Sequence, residues 1–223
     1  MKKFFLTSTG TGIGKTFVAQ VLIQQLLKKK YSVRAIKPIL TGFNKRNERS
    51  NDAGLLLNSM GLDISSENIS SISPWTFKHP LSPDLAAFRE GSRISLRELV
   101  GFCRQSYDAD VVLIEGIGGI MVPLNQNNTV LDWIISLNAP VLLIVGSYLG
   151  TFSHTLTAIG MLKEKAVNIA GIIINESTNQ PISSEETAEV ISRFTKNIPI
   201  QVLPRCTTPE HASDLLPLIN RYL

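Results

Sequence analysis

The sequence predicts an α/β fold in which a mainly parallel β-sheet is covered by helices on both faces. The chain has 223 residues, of which 43% are hydrophobic, and this is enough to build one domain around a buried core. Short apolar runs rich in Val and Ile recur along the chain, which is typical of strands buried on both faces. Helical patterns separate these runs, and alternating strands and helices favour a parallel sheet.

Six apolar runs are expected to form the strands. They read FFLTS from residue 4, VRAIKPI from residue 33, DVVLIEG from residue 110, APVLLIVG from residue 139, IAGIIIN from residue 169 and IPIQVLP from residue 198. Helical patterns are clearest at residues 17–30, 95–107, 153–165 and 183–196. Two of these begin with capping-box sequences, at Ser95 with Glu98 and at Ser183 with Glu186. We expect irregular structure at residues 41–51 and 65–73, and one domain over residues 1–223.

The composition argues against several classes of protein. The net charge is +4, but the basic residues are scattered, and Lys28 to Lys30 close a helix whose dipole they complement, so no nucleic-acid surface is expected. Cys103 and Cys206 lack the spacing of a disulfide framework or a zinc site, which fits a reducing cytoplasm. The N-terminal apolar stretch is too short for a signal peptide, and no run approaches about 20 apolar residues, so no membrane association is expected.

The segment TSTGTGIGKT, residues 7–16, lies between the first strand and the first helix. It ends as a phosphate-binding loop ends, although the pattern G-x-x-x-x-G-K-[ST] requires glycine where this chain has Thr9. Its glycines let backbone N–H groups approach an anion, Lys15 can reach terminal phosphates, and Thr16 can place its hydroxyl on Mg²⁺. An ordinary glycine-rich turn before a helix does not require Lys and Thr directly after its last glycine. The loop therefore predicts a three-layer P-loop NTPase-like fold that binds a nucleoside triphosphate.

Polar side chains follow the other predicted strands, at the edge of the sheet where ligands gather. Within the second run, Lys37 follows the strand residues Val33 to Ile36 and can meet phosphate and carboxylate oxygens, although a solvated lysine is the alternative. Asp52 is by default a helix N-cap. Glu115 ends an apolar strand and is expected to face a cation, because burying an unpaired carboxylate is costly; a glutamate at a surface turn is the alternative. Asn175 ends a strand with an amide that can pair with a purine edge.

Four motifs carry a resemblance to a known family. The loop is similar to the variant G-T-D-T-x-x-G-K-T, with Ser8 in place of its first glycine and Gly10 in place of its aspartate. Residues 37–42 match K-P-x-x-[ST]-G, residues 74–83 match P-[YW]-x-F-x-x-P-x-S-P, and residues 115–119 match E-G-x-G-G. With these motifs in this order, the chain resembles the dethiobiotin synthetase family over nearly its full length.

The resemblance implies an ATP- and Mg²⁺-dependent ligase that closes 7,8-diaminopelargonic acid and CO₂ into the cyclic urea dethiobiotin, in biotin biosynthesis. It implies Lys37 and Lys15 as catalytic residues. Metal binding is implied for Thr16, Asp52 and Glu115. Nucleotide binding is implied for Gly12, Ile13, Gly14, Lys15, Thr16, Phe17, Asp52, Glu115, Gly116, Ile117, Gly118, Asn175, Glu176, Pro204, Arg205 and Cys206.

The resemblance also implies the contacts of the small-molecule substrate. Thr41 supplies a hydroxyl, and residues 74–83 wall the apolar chain of the substrate, although packing alone is an alternative for this segment. Gly150 and Thr151, at a helix N-terminus suited to a carboxylate, receive that end of the substrate, within the chain or across a homodimer. His154 is not expected to act as a base, and the preferred nucleotide base stays open.

Other functions remain as alternatives. A switch-type ATPase of the chromosome-partitioning kind shares the loop and the fold and acts through protein or DNA partners, but its signature lysine falls where this chain has Gly10. A related amidotransferase-linked synthetase domain and a nucleotide-dependent metal-insertion chaperone are further candidates. The chaperone is expected to carry a Cys or His metal motif, which this sequence lacks.

Overall fold

Eight β-strands and eight α-helices follow one another along residues 1–223, all of which the computed structural model describes. The strands are β1 (Lys2–Ser8), β2 (Val33–Ile36), β3 (Ile39–Thr41), β4 (Trp75–Phe77), β5 (Val111–Gly119), β6 (Val141–Gly146), β7 (Ile169–Asn175) and β8 (Ile200–Leu203). The helices are α1 (Lys15–Lys28), α2 (Asp52–Ser59), α3 (Ser66–Ile72), α4 (Pro83–Arg89), α5 (Leu96–Arg104), α6 (Val130–Leu137), α7 (Thr151–Glu164) and α8 (Ser184–Thr195). Short 3₁₀ helices lie at Lys45–Asn47, Pro209–His211, Leu216–Leu218 and Asn220–Tyr222.

Six strands form one parallel sheet in the order β2-β5-β1-β6-β7-β8, and β3 pairs in parallel with β4 in a separate sheet. β1 lies in the middle, where the chain changes its direction of progress across the sheet. In open parallel sheets such a switch point opens a crevice at the carboxyl ends of the strands. The parallel sheet with its intervening helices confirms the predicted α/β fold.

Both faces of the sheet are covered, as the aromatic side chains of β1 show. The Phe4 ring packs edge-on against Tyr222 near the C-terminus, with ring centroids 5.6 Å apart. The Phe5 ring packs edge-on against Trp133 of α6, at 4.8 Å. Because successive side chains on a strand point to opposite faces, α6 and the C-terminal segment cover opposite sides of β1.

Helix α1 lies on the face covered by the C-terminal segment. Leu22 and Leu26 are fully buried, while Gln25 binds the C-terminal segment through its amide. Its nitrogen donates to the Ser213 carbonyl at 2.9 Å, and its oxygen accepts from the Leu215 N–H at 2.9 Å. Right-handed crossovers in opposite directions from β1 place α1 on one face and α6 to α8 on the other.

The buried apolar side chains form one continuous cluster of 54 residues, on which we base the proposal that residues 1–223 form a single domain. None of the helices combines the length and the apolar character needed to cross a bilayer.

The structure corrects several predicted boundaries. Helix α1 begins at Lys15, two residues earlier than expected, whereas α7 begins at Thr151, one of the two positions expected for its start. Gly14 and Gly150 precede these helices with φ of 95°, a left-handed conformation that glycine adopts without strain. The run VRAIKPI is not one strand: β2 ends at Ile36, and the chain turns before β3 joins the second sheet.

The expectation of irregular structure at residues 65–73 is wrong. The Ser65 side chain accepts the N–H of Asn68 and caps α3, which buries Ile69 and Ile72 against the core. The serines thus mark a helix start and its solvent face. Helices α4 and α6 were not predicted, since both are short.

One of the two predicted capping boxes is complete. The Ser183 hydroxyl accepts from the Glu186 N–H at 3.1 Å, and the Glu186 carboxylate accepts from the Ser183 N–H at 3.0 Å. The Ser183 hydroxyl also donates to this carboxylate at 2.9 Å. The bond from the Ser183 N–H, and next the bond from the hydroxyl, lower the pKa of Glu186. At Ser95 only the bond from the Glu98 N–H is present, at 3.4 Å, so the prediction of a reciprocal box there is wrong.

We therefore expect Ser183→Ala to lower the free energy of unfolding by about 1 kcal/mol at neutral pH, the usual cost of losing an N-cap. Ser95→Ala, the matched control, should cost less, because that cap is half formed. The Glu186 pKa is lower in the folded state, so its contribution exists above the unfolded pKa and is lost as the pH falls through the folded pKa. Urea unfolding of both variants at several pH values checks this, and equal losses at Ser95 and Ser183 would contradict it.

Candidate active site

A cleft of about 730 Å³ opens at the carboxyl ends of the central strands. It brings together segments that are distant in sequence: the loop after β1, the turn after β2, the start of α2, the loop before α4 and the end of β5. The predicted site residues that line it are Gly12, Gly14, Lys15, Thr16, Lys37, Thr41, Asp52, Glu115, Ile117 and Gly118. The cleft is large enough for a small-molecule ligand.

The loop after β1 is closely packed against the end of β7. A Cβ at Gly14 would lie 2.2 Å from the Asn175 side-chain nitrogen, so only glycine fits at this position. That nitrogen donates to the Ile13 carbonyl at 2.9 Å. Asn175 therefore contacts the back of the loop, and one of the two protons of its amide is already used.

Lys15 is buried, with 7% of its surface exposed, and its ammonium has a complete set of acceptors. Nζ donates to Ser8 Oγ at 2.9 Å and to the carbonyl oxygens of Gly10 at 3.2 Å and Gly118 at 3.1 Å. All three acceptors are neutral. Burial, and next the positive charge of Lys37, lowers the pKa of Lys15 to about 8.

Lys37 is also buried, but its partners are carboxylates. Its Nζ lies 2.6 Å from Glu115 Oε1 and 2.9 Å from Asp52 Oδ2, and donates to the Gly116 carbonyl at 3.1 Å. Burial alone would lower the pKa of Lys37, but Glu115 and Asp52 outweigh it and raise the pKa above its usual value. Burial would likewise raise the pKa of Asp52, but Lys37 outweighs it and the pKa falls. Lys37 and Asp52 are therefore both charged at neutral pH.

The same carboxylates offer a site for a divalent cation. The Thr16 hydroxyl donates to Glu115 Oε1 at 2.8 Å, while the buried Oε2 of Glu115 has no partner. The Asp52 side chain is 41% exposed to the cleft. No cluster of three or more His, Cys, Asp or Glu is present, and Mg²⁺ needs none, since it keeps waters and takes phosphate oxygens beside one or two carboxylates. Thr16, Asp52 and Glu115 fit this ion.

The last residues of β5, after Glu115, include positions that require glycine. Gly118 has φ of 55°, and a Cβ there would lie 2.6 Å from Val122 Cγ2. A Cβ at Gly116 would lie 2.9 Å from the Phe5 ring. The segment therefore passes close to β1, with the Gly118 carbonyl directed at Lys15.

Several predicted residues lie outside the lining of the cleft. Phe17 packs against the core. Gly150 and Thr151 lie at the start of α7, where the Thr151 hydroxyl is buried and donates to the Gly146 carbonyl at 2.5 Å. The Thr151 N–H is also bonded, to the Tyr148 carbonyl at 3.1 Å. Within this chain, the hydroxyl and the N–H of Thr151 are therefore both already hydrogen-bonded.

The loops after β7 and β8 form a second group beside Asn175. Glu176 Oε2 accepts from the Arg205 N–H at 2.9 Å, and the Arg205 guanidinium donates to the Thr178 hydroxyl at 2.8 Å. Pro204 and Cys206 flank Arg205 in the same loop. These residues lie together, outside the lining of the cleft.

Some lining residues were not predicted as site residues: Thr11, Leu40, Pro80, Leu81, Ser82, Pro83 and Val122. The aromatic-proline motif already pointed to positions 80–83, and the structure divides that motif. Pro80 and Pro83 line the cleft, whereas Phe77 is buried and Trp75 packs edge-on against Phe102 at 5.9 Å. No sequence pattern marks Val122.

Comparison with known proteins gives consistent results. A protein-family model described as an AAA domain matches residues 2–210. The chain is 41% identical to the ATP-dependent dethiobiotin synthetase BioD of Acidiphilium cryptum (strain JF-5), over 95% of this chain and 96% of that one. It is 34% identical to the protein of the same name from Bacillus licheniformis, over 87% and 82% of the two chains.

A solved structure shares the fold alone. The cell division protein ftsY of Thermotoga maritima superposes with a TM-score of 0.56 at 14% identity, over 97% of this chain and 66% of that one. The matches to these two curated relatives cover 95% and 87% of this chain. The chain therefore belongs to the dethiobiotin synthetase family.

Proposed function

We propose that the cleft closes the urea ring of dethiobiotin from 7,8-diaminopelargonic acid and CO₂, with ATP as co-substrate and Mg²⁺ as cofactor. One amine of the substrate adds to CO₂ and gives a carbamate. The carbamate oxygen attacks the γ-phosphorus and releases ADP, which leaves a carbamic-phosphoric anhydride. The second amine then attacks the anhydride carbon, forming the second C–N bond as phosphate leaves and a proton is lost. Family membership supports this ligase activity and disfavours the partitioning-type ATPase.

The observation that carries the proposal is the presence of two buried ammonium groups, Lys15 and Lys37, in one cleft with two carboxylates. A carbamate and a triphosphate are both anions, so repulsion and misalignment make up much of the barrier. Cations fixed in a buried site lower that repulsion more than mobile ions in water do. No side chain has to form a covalent intermediate, since the second amine of the substrate is the nucleophile.

The residues divide this work. The backbone of the loop at residues 12–16 cradles the phosphates, and Lys15 binds their terminal oxygens. Lys37 stays protonated because of its carboxylate partners. It contacts the carbamate oxygen that bonds to the γ-phosphorus. Thr16, Asp52 and Glu115 would hold Mg²⁺. When bound, the ion neutralises phosphate charge and helps fix the line of attack.

The diamine and the nucleotide base are expected to contact different parts of the site. Thr41 and the segment 80–83 contact the diamine and its apolar chain. The residues proposed to face the nucleotide base lie at the end of β7 and in the loops after β7 and β8: Asn175, Glu176, Pro204, Arg205 and Cys206. We place the enzyme in the cytoplasm, where both of its cysteines stay reduced.

A second copy of the chain completes the site in this proposal. Gly150 and Thr151 do not line the cleft of their own chain, and the hydroxyl and N–H of Thr151 are already bonded. The other backbone N–H groups at the start of α7 are suited to a carboxylate. Leu149, beside them, has 86% of its surface exposed, and such an apolar side chain favours contact with another surface. We propose a homodimer in which α7 of each subunit approaches the cleft of the other.

The activity is tested by incubating the protein with the diamine, bicarbonate, Mg²⁺ and ATP. Phosphate release should depend on the diamine and on Mg²⁺, and dethiobiotin should appear in equal amount by mass spectrometry. Hydrolysis that ignores the diamine but responds to DNA or to a protein partner would instead support the partitioning-type ATPase.

Lys37→Gln should lower kcat by about a hundredfold or more while changing the nucleotide Kd much less, because the charge acts on the transferring group. Steady-state kinetics and calorimetric titration with ADP check this. Lys45→Gln, which removes an exposed lysine from the nearby loop, is the matched control and should leave both constants unchanged. An unchanged kcat in a folded Lys37→Gln variant would remove Lys37 from the reaction.

Leu149→Glu should shift the protein toward monomer, because it places a charge in the proposed interface. It should also raise the KM for the diamine while leaving nucleotide affinity unchanged. Phe194→Glu, a change of an exposed apolar residue near the far end of α8, is the control. Light scattering and kinetics measure both effects, and a Leu149→Glu protein that keeps its dimer and its KM would contradict this interface.

A further inference from the structure

Ser8 is a buried polar residue to which the proposed reaction gives no role. It is the last residue of β1 and has no exposed surface. The related loop pattern has glycine at this position, so the side chain is a departure in this chain. Ser8 pairs with Gly119 of β5, and the register between the two strands shifts between Leu6 and Ser8. This shift brings the Gly118 carbonyl over the end of β1.

The Ser8 hydroxyl lies at the centre of a small hydrogen-bonded group. Its oxygen accepts from Lys15 Nζ at 2.9 Å and lies 2.6 Å from the Gly10 carbonyl oxygen and 3.1 Å from that of Gly118. Lys15 donates to the same two carbonyl oxygens. A lysine ammonium has three protons, and this group supplies three acceptors.

We propose that Ser8 is a positioning residue for Lys15, holding its ammonium inside the phosphate loop before the nucleotide binds. A long lysine side chain loses rotamer freedom when a ligand fixes it, and a side chain already fixed loses less. With glycine at position 8, the third acceptor on the protein would be missing. Ser8 thus contributes to nucleotide affinity through Lys15, without touching the phosphates.

The hydroxyl also allows Lys15 to change partners. It has one proton and can donate to only one of the two carbonyl oxygens at a time. When Lys15 turns a proton toward a phosphate oxygen, the carbonyl that it leaves can accept from Ser8 instead. No buried carbonyl is then left unpaired, which would otherwise cost free energy.

This inference rests on the proposed role of Lys15 in phosphate binding. Calorimetric titration with Mg²⁺ and a non-hydrolysable ATP analogue tests it without turnover. Ser8→Ala should raise the Kd about tenfold, equivalent to about 1.4 kcal/mol, while kcat at saturating ATP changes less than about twofold. Ser8→Cys fills nearly the same space with a poorer acceptor and should weaken binding similarly.

Thr7→Val is the matched control. Thr7 precedes Ser8 on β1, is equally buried, and its hydroxyl has no partner, so its loss should leave the Kd unchanged. If Ser8→Cys keeps the Kd of the unchanged protein, Ser8 only fills space. If Thr7→Val raises the Kd as much as Ser8→Ala does, the effect is a general one on the strand. Either result, or unchanged affinity in Ser8→Ala, overturns the inference.

A Lys15→Gln variant separates this inference from the proposed function. If Lys15→Gln weakens binding of the analogue and Ser8→Ala does not, only the role of Ser8 is lost. If Lys15→Gln itself leaves the Kd unchanged, the proposed role of Lys15 fails.

Discussion

The buried contact between Lys37 and Glu115 is the interaction on which the rest of the site depends. It joins the turn after β2 to the end of β5, and through Asp52 and Thr16 it also fixes the starts of α2 and α1. Removing one partner of such a pair typically costs about 3–5 kcal/mol, because the other charge stays buried without compensation. Four segments that are distant in sequence are therefore held at one point by a contact that is stable only when both charges are present.

The position of this contact follows from the topology of the sheet. β1 lies between β5 and β6, and Glu115 of β5 pairs with Leu6 of β1, so the loop after β1 begins beside this carboxylate. In the absence of ligands, the two lysines balance Glu115 and Asp52. Mg²⁺ that enters with a triphosphate cancels part of its negative charge, which lowers the repulsion between the phosphates and these carboxylates.

Much of this could be predicted from sequence because the information is local. Each strand of the main sheet appears as an apolar run, Lys37 directly follows β2 and Asp52 begins α2, which fixes the edge at which they lie. Glu115, expected to end its strand, instead lies inside β5, which continues to Gly119. The features that could not be predicted from the sequence depend on tertiary contacts or on the geometry of helix caps. Asn175 donates to the Ile13 carbonyl, and Val122 faces the cleft, only because distant segments meet, whereas α3 was missed because its serines resemble a loop.

The two lysines differ in what holds them, and this difference explains why the cleft contains both. Lys37 is bound by carboxylates, which keep it protonated but cancel much of its field. Lys15 is bound by a hydroxyl and two carbonyls, which hold it in place without cancelling its charge. The lack of such compensation is also why its pKa falls to about 8, through burial first and the charge of Lys37 next. A Cβ at Gly10 would meet only Ile13, at 4.0 Å, so glycine is not required there by space. An aspartate at that position, as in the related pattern, would bring a negative charge near Lys15, whereas Ser8 and Gly10 together leave the full charge of Lys15 available to the phosphates.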